Sequence, residues 1–243
     1  MNLPFHIAKR YLFAKKSQNI INVVSMISVI GIAVSSMAMV IVLSGFNGIE
    51  KIVADMYNSF DADLKVSLNE GKTFQTKKID MDKIKQLNGV NFASLVIEET
   101  IILQNEDKFE TCKLKGVELP YFDSTHLDTL MVEGLPDLEY EGIDYCIPGA
   151  VLQSRLGFTS DPRFQNELTI NGMLRDKKIS MTSQPFNQQK IQVGGVFMTG
   201  IYANDAKYIF VSIGFAEKLL EFNKEATGVD IFTDNLSERE FSN

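Results

Sequence analysis

Tryptophan is missing from this sequence, and 243 residues contain only two histidines and two cysteines. A structural zinc site usually takes four nitrogen or sulfur ligands, and Cys112, Cys146, His6 and His126 lack its spacing, so no metal site is expected. Two cysteines are also too few for a disulfide framework. A single bridge between Cys112 and Cys146 stays open, because both lie in apolar, strand-like surroundings where a free thiol serves equally well as a small hydrophobe. No G-x-S-x-G, P-loop or H-E-x-x-H run occurs. His126 closes the run Asp123-Ser124-Thr125, which reads as a turn with nearby hydroxyls rather than a catalytic group. Asp61, Asp63, Glu98 and Glu99 read as solvated carboxylates. The chain is therefore expected to be non-catalytic and to hold no cofactor.

Charge is the next absence. From Met1 to Ile49 the charged residues are Lys9, Arg10, Lys15 and Lys16, and none is acidic. The 20 Lys and Arg that remain, against 31 Asp and Glu, leave −11 on the chain from Glu50 onward. A body so acidic would repel a phosphate backbone, which argues against nucleic-acid binding and for a water-soluble portion.

Between Lys16 and Glu50 there is no charge at all, and Ile20 to Leu43 is almost wholly Ile, Val, Met, Ala, Ser and Gly. As a helix rising about 1.5 Å per residue this stretch covers about 36 Å, enough for a hydrocarbon core of about 30 Å. In lipid a backbone must satisfy its own N–H and C=O groups, and a helix does so. Two other readings fit an apolar run: the core helix of a soluble protein, and a cleaved signal peptide, whose h-region is shorter, about 7–15 residues. The four basic residues before the run place the N-terminus in the cytoplasm and the bulk of the chain outside. At 100° per residue Ser28, Gly31, Ser35 and Ala38 fall on one narrow stripe. Small side chains there let a second helix approach closely, so helix–helix packing is expected at these residues. Ahead of the span, Pro4, Phe5, Ala8, Tyr11 and Leu12 recur at helical spacing beside the basic residues, the pattern of an interfacial amphipathic leader.

After the span the period shortens. Phe46-Asn47-Gly48 ends the apolar run, and Ile49, Ile52, Val53 and Met56 continue at helical spacing as a stalk. Alternation then predicts strands over Ala62–Leu68, Phe92–Leu103, Phe109–Val117, Ile143–Ile147, Glu167–Ile170, Lys178–Met181, Lys190–Phe197, Tyr208–Val211 and Val229–Thr233. Asn105-Glu106-Asp107-Lys108 supplies a hairpin turn, and Gly194-Gly195 reads as a bulge. Helices are expected over Met81–Leu87, over Ala150–Leu156 closed by Gly157, and over Ile213–Phe222 capped by Ser212. Strands and helices interleaved without a βαβ rhythm define an α+β fold. Ser237-Glu238-Arg239-Glu240 fits a capping box and reads as a helix start.

Ile7-Ala8-Lys9-Arg10-Tyr11-Leu12, the run Val42-Leu43-Ser44-Gly45-Phe46-Asn47-Gly48-Ile49-Glu50, Pro148-Gly149-Ala150-Val151-Leu152 through Leu156-Gly157, and Phe210-Val211-Ser212 before the helix with Ala216 together resemble the permeases of bacterial lipoprotein-releasing ABC transporters, the LolC/LolE family. The likeness spans essentially the whole chain and lies more in the spacing than in any one motif. It implies a long N-terminal membrane helix followed by a mixed α/β periplasmic domain of two subdomains, a core shared with macrolide-efflux permeases. The corresponding boundaries are a leader over 1–19, a span over 20–44, a stalk over 45–60, the periplasmic domain over 61–236, and over 237–243 the start of a helix toward a second span absent from this sequence.

By that resemblance the intact protein sits in the bacterial inner membrane and works with a cytoplasmic ATPase subunit and a second permease subunit, as a homodimer or heterodimer. It extracts lipoproteins from membrane lipid and passes them to a periplasmic lipoprotein carrier. Acyl chains would meet Met39, Leu43 and Phe46, and a carrier would meet the loop from Thr182 to Gln189, with Pro185 and Phe186. That loop is shorter here than in some relatives. Macrolide-efflux permeases commonly carry an ATPase domain ahead of the first span, where this chain has a short leader, and cell-division permeases have a smaller external domain. A single-span sensor or binding domain is the reading from a different class.

Overall fold

The computed structural model describes residues 3–12, 19–58, 62–125, 127–161, 163, 167–173 and 186–233. The chain divides into two compact units, Met1–Ala54 and Asp55–Asn243.

Two helices dominate the first part, α1 (Leu3–Leu12) and α2 (Asn19–Asn58). The second helix passes through Phe46-Asn47-Gly48 without interruption and reaches 40 residues. Its window Val23–Glu50 has 28 residues, within which an 18-residue stretch reaches a mean hydropathy of 2.5 with no buried position. At about 1.5 Å per residue that window is about 42 Å long, so the helix is long and apolar enough to cross a membrane.

The remainder is α+β. In chain order it comprises β1 (Leu64–Ser67), β2 (Phe74–Gln75), α3 (Met81–Lys85), β3 (Val90–Asn105), β4 (Lys108–Val117), α4 (Tyr121–Thr125), β5 (Met131–Gly134), β6 (Glu139–Tyr140) and β7 (Ile143–Pro148). It continues with α5 (Ala150–Leu156), β8 (Glu167–Met173), β9 (Phe186–Val193), β10 (Gly195–Phe197), α6 (Tyr202–Asp205), β11 (Tyr208–Ser212), α7 (Ile213–Leu220), β12 (Glu225–Ala226) and β13 (Gly228–Thr233). The expected punctuation is present. Ser212 Oγ accepts a hydrogen bond from Phe215 N at 3.1 Å and caps α7. Gly157 closes α5 in the left-handed conformation, at φ 73°.

The main sheet runs β1-β13-β3-β4-β11-β7-β9-β8, and β3 pairs again with β8. This second pairing closes β3, β4, β11, β7, β9 and β8 into a ring. The length of β3 permits it: Val90–Val96 face β13, while Ile101–Gln104 face β8. Alternate residues along a strand point to opposite faces. Ile97, Ile101, Leu103, Cys112, Leu114, Cys146, Ile209 and Val211 therefore share one buried cluster, into which α5 sends Leu152 and Leu156 and α7 sends Ala216 and Leu219. Val96, Val117 and Phe210 point the other way and pack with Tyr121 and Phe122 of α4 and with Phe197. The rings of Phe122 and Phe197 meet Phe210 edge-on, with centroids 5.2 and 5.4 Å away. A third cluster joins Ala93, Val229 and Ile231 to Leu64, Phe74, Ile79, Met81 and Ile84.

Two expectations from the sequence are corrected. The single strand expected over Lys190–Phe197 is two: β9 belongs to the ring, and β10 leaves it at Gly194 to pair with β5. The cause is close backbone approach, since a Cβ on Gly134 would stand 2.1 Å from the Gly194 carbonyl oxygen. The glycine pair marks a change of sheet rather than a bulge. The helix expected to reach Phe222 ends at Leu220, where Glu221 turns left-handed at φ 56°. The strand expected over Lys178–Met181, the turn residue His126 and the capping box at Ser237 lie outside the described residues.

Candidate functional site

The surface of α2 is the first candidate. Met39, Leu43, Phe46, Ser28, Gly31, Ser35 and Ala38 are all exposed, and nothing stands within 4 Å of a Cβ built on Gly31. Ser28 turns its hydroxyl back onto its own helix and donates to Val24 O at 2.9 Å. That bond satisfies the one polar atom of its side chain, as an apolar surrounding requires.

The second candidate lies where the chain enters and leaves the sheet domain. The strands β1 and β13 are antiparallel neighbours, with Leu64 opposite Ile231 and Ser67 opposite Gly228. Asp63 fastens their open end: its Oδ2 accepts from Thr233 N at 2.7 Å and from Thr233 Oγ1 at 3.1 Å. This carboxylate is exposed, as expected of a solvated group, and also makes a structural contact. Asp61 lies outside the described residues.

Beside this ribbon is a cluster of charges that sequence pattern missed. Glu98 on β3 stands opposite Lys115 on β4, and Lys65 on β1 stands opposite Asp230 on β13. The ion pairs cross that register. Lys115 Nζ reaches Asp230 Oδ2 at 2.7 Å, and Lys65 Nζ reaches Glu98 Oε1 at 2.5 Å. Lys115 and Lys113 also approach Glu98, at 3.9 and 4.0 Å. Tyr121 Oη donates to Asp230 Oδ2 at 2.8 Å, and the Lys115 ammonium lies 5.1 Å from the Tyr121 ring centre. Lys115 and Asp230 are only 4% and 1% exposed, and Asp230 Oδ1 has no hydrogen-bond partner among the described residues. Glu98, expected to be solvated, is instead held by three lysines. The signal was present in β4, where Lys113 and Lys115 alternate with the buried Cys112 and Leu114. What the sequence could not supply was the opposing strand.

The hairpin of β8 and β9 is the third candidate. Its last described pair is Met173 opposite Phe186, both exposed. Of the carrier loop expected over Thr182–Gln189, Phe186–Gln189 are strand, the first four residues of β9 paired with β8, which corrects their reading as loop; Thr182–Pro185 lie outside the described residues.

Cys112 and Cys146 are both free and buried. Burial, with Glu110 adding to it, pushes the Cys112 thiol up to about 12, and burial followed by Cys112 itself raises Cys146. These thiols are core hydrophobes, inert at neutral pH. Among the described residues no group of three or more His, Cys, Asp or Glu is placed to hold a metal ion.

No protein-family model matches the chain, and no curated protein matches it. Among solved structures it is similar to the periplasmic region of MacB from Actinobacillus actinomycetemcomitans, at 11% identity and a TM-score of 0.47 over 73% of this chain and 77% of that one. It is also similar to the extracellular domain of the noncanonic ABC-type transporter YknZ from Gram-positive bacteria, at 12% identity and a TM-score of 0.45 over 73% of this chain and 87% of that one.

Proposed function

We propose that this chain is the first membrane span and the extracytoplasmic domain of an ABC-transporter permease, one that releases lipoproteins from the inner membrane to a periplasmic carrier. A separate cytoplasmic ATPase supplies the energy, and a second permease subunit completes the membrane part. The observation that carries the reading is the Asp63–Thr233 closure. A domain that starts and ends on paired antiparallel strands returns the chain to its point of entry, as an insertion between two membrane helices must. The stretch of α2 from Asn19 to Ile49, which carries no charge, and the family-like runs at Ile7–Leu12 and Val42–Glu50 support it.

Within this reading Met39, Leu43 and Phe46 offer an apolar strip at the outer end of the span for acyl chains. The stripe Ser28, Gly31, Ser35 and Ala38 receives a partner helix, and the tip at Pro185 and Phe186 meets the carrier. Each role follows from chemistry: acyl chains need apolar contact without hydrogen-bond demand, and small residues allow close helix packing.

A photoactivatable amino acid placed at Phe46 in the full-length protein tests the reading. In cells, adducts bearing acylated proteins are expected there, and not from the same group at Val24, deeper in the span. Normal membrane expression with no acylated adduct at Phe46, Leu43 or Met39 removes lipoprotein release. Failure to co-purify an ATPase subunit from native membranes removes the permease reading and leaves the single-span sensor.

A further inference from the structure

The acidic body carries a basic island early in its sequence. Gly71–Leu87 holds Lys72, Lys77, Lys78, Lys83 and Lys85 against Asp80 and Asp82, a local +3 that leaves −14 on the rest of the chain beyond Ile49. The segment is built to face its lysines outward. Phe74, Ile79, Met81 and Ile84 pack with Leu64, Ala93, Val229 and Ile231, while all five lysines are exposed. Asp80 is already committed, accepting from Lys83 N to cap α3 and pairing with Lys83 Nζ at 3.0 Å. Lys72 borders a shallow groove with Glu98 and Glu99. Among the described residues Lys77, Lys78 and Lys85 have no ion-pair partner. Beside them Leu87 stands 59% exposed.

Position gives the island its meaning. Leu64, to which the segment is pinned, follows Asn58, the last residue of α2, by six residues, a tether of about 20 Å at most. The domain as a whole is acidic and an anionic bilayer surface repels it, whereas this basic face, close in the chain to the end of α2, can approach such a surface favourably. We propose that Lys77, Lys78 and Lys85, with Leu87 as an apolar foot, form a docking surface for anionic phospholipid headgroups of the bilayer that α2 crosses. Exposed lysines around an exposed leucine are the combination an interfacial contact uses, charge for the phosphates and an apolar side chain for the acyl boundary. The proposal rests on α2 spanning a bilayer, one part of the proposed function.

The test reconstitutes the full chain in nanodiscs of neutral phosphatidylcholine, and in discs containing about 30 mol% phosphatidylglycerol, and pulses both with an amine-reactive reagent read by mass spectrometry. Lys77, Lys78 and Lys85 are expected to label about threefold more slowly in the anionic discs, with the protection lost at about 0.5 M salt, where exposed charges are screened. Lys108, at the turn of the β3–β4 hairpin, and Lys218 on α7 should label equally in both. A polarity-sensitive fluorophore at Leu87→Cys should shift to the blue in anionic discs, and the shift should vanish in K77Q/K78Q/K85Q. Equal labelling of the three lysines in both discs, with no fluorophore shift, overturns the proposal while leaving the span intact. Failure to incorporate into either disc overturns the span itself.

Discussion

Val34, Val40 and Leu43 on α2 are 60%, 66% and 52% exposed, whereas Val96, Val211 and Leu114 in the sheet domain are wholly buried. The side chains are of the same kind; the solvent assigned to them differs. In the sheet domain each apolar residue leaves water by meeting others, and burial contributes about 25 cal/mol per Å². On α2 no such partner exists among the described residues, so only lipid or another helix can take that surface. Polar groups invert the contrast. The helix admits no charge from Asn19 to Ile49, yet the domain buries Lys115 and Asp230 side by side. A buried ion is tolerable where strands fix a counter-ion at 2.7 Å, and a lone helix has no means of fixing one.

The largest effect should come from breaking the buried pair. Lys115→Ala leaves Asp230 as a buried charge without its cation, and a loss of about 3–5 kcal/mol is expected in urea unfolding of the purified chain. Replacing both partners, Lys115→Met with Asp230→Leu, should recover more than half of that loss, because two apolar groups need no pairing. If the double variant is as unstable as the single one, Tyr121 rather than the ion pair carries the site.

Next comes the helix. Ile32→Arg places a charge near the middle of the apolar window and should cost about 3 kcal/mol in membrane insertion. The same residue type at Val132, an exposed position on β5, should change stability by less than about 0.5 kcal/mol. Glycosylation-site mapping of insertion for the first and urea unfolding for the second give both numbers. Similar small effects at the two positions would mean that α2 is not in lipid, and the contrast between the regions would fail.

Much of this was legible beforehand because it is local. The period of the apolar run gave α2, and the cap at Ser212 and the left-handed Gly157 gave the ends of α7 and α5. Alternation gave most long strands within two or three residues. What escaped depends on pairing between distant segments. The ring closure needs β3 to change partners from β13 to β8 partway along its length, and no periodicity within β3 announces that. The strands β2, β6 and β12 are two residues each, too short to show alternation, and exist only because a partner runs alongside. Glu98 looked solvated because its three lysines arrive from β1 and β4, 33 residues before it in one case and 15 and 17 after it in the others. At the candidate membrane surface the reverse holds, since exposure on α2 follows from composition alone.

The smallest expected effect separates exposed polar contacts from the buried pair. Glu133 Oε2 accepts from Ser160 Oγ at 2.7 Å and from Gln153 Nε2 at 2.8 Å. These bonds favour the carboxylate and hold its pKa below the ordinary value, Ser160 first and Gln153 second, against a weak opposing effect of burial. A carboxyl whose folded pKa is depressed stabilises the fold above its unfolded pKa and loses that contribution as pH falls through the folded one. Stability should therefore decline between about pH 5 and pH 3 a little less steeply in Glu133→Gln than in the parent. Glu133 is exposed, so water and salt screen its contacts and the change in slope should be near the limit of measurement. A steep change in acid unfolding on this substitution would place the surface contact on a par with the Lys115–Asp230 pair, and the distinction drawn from burial would not hold.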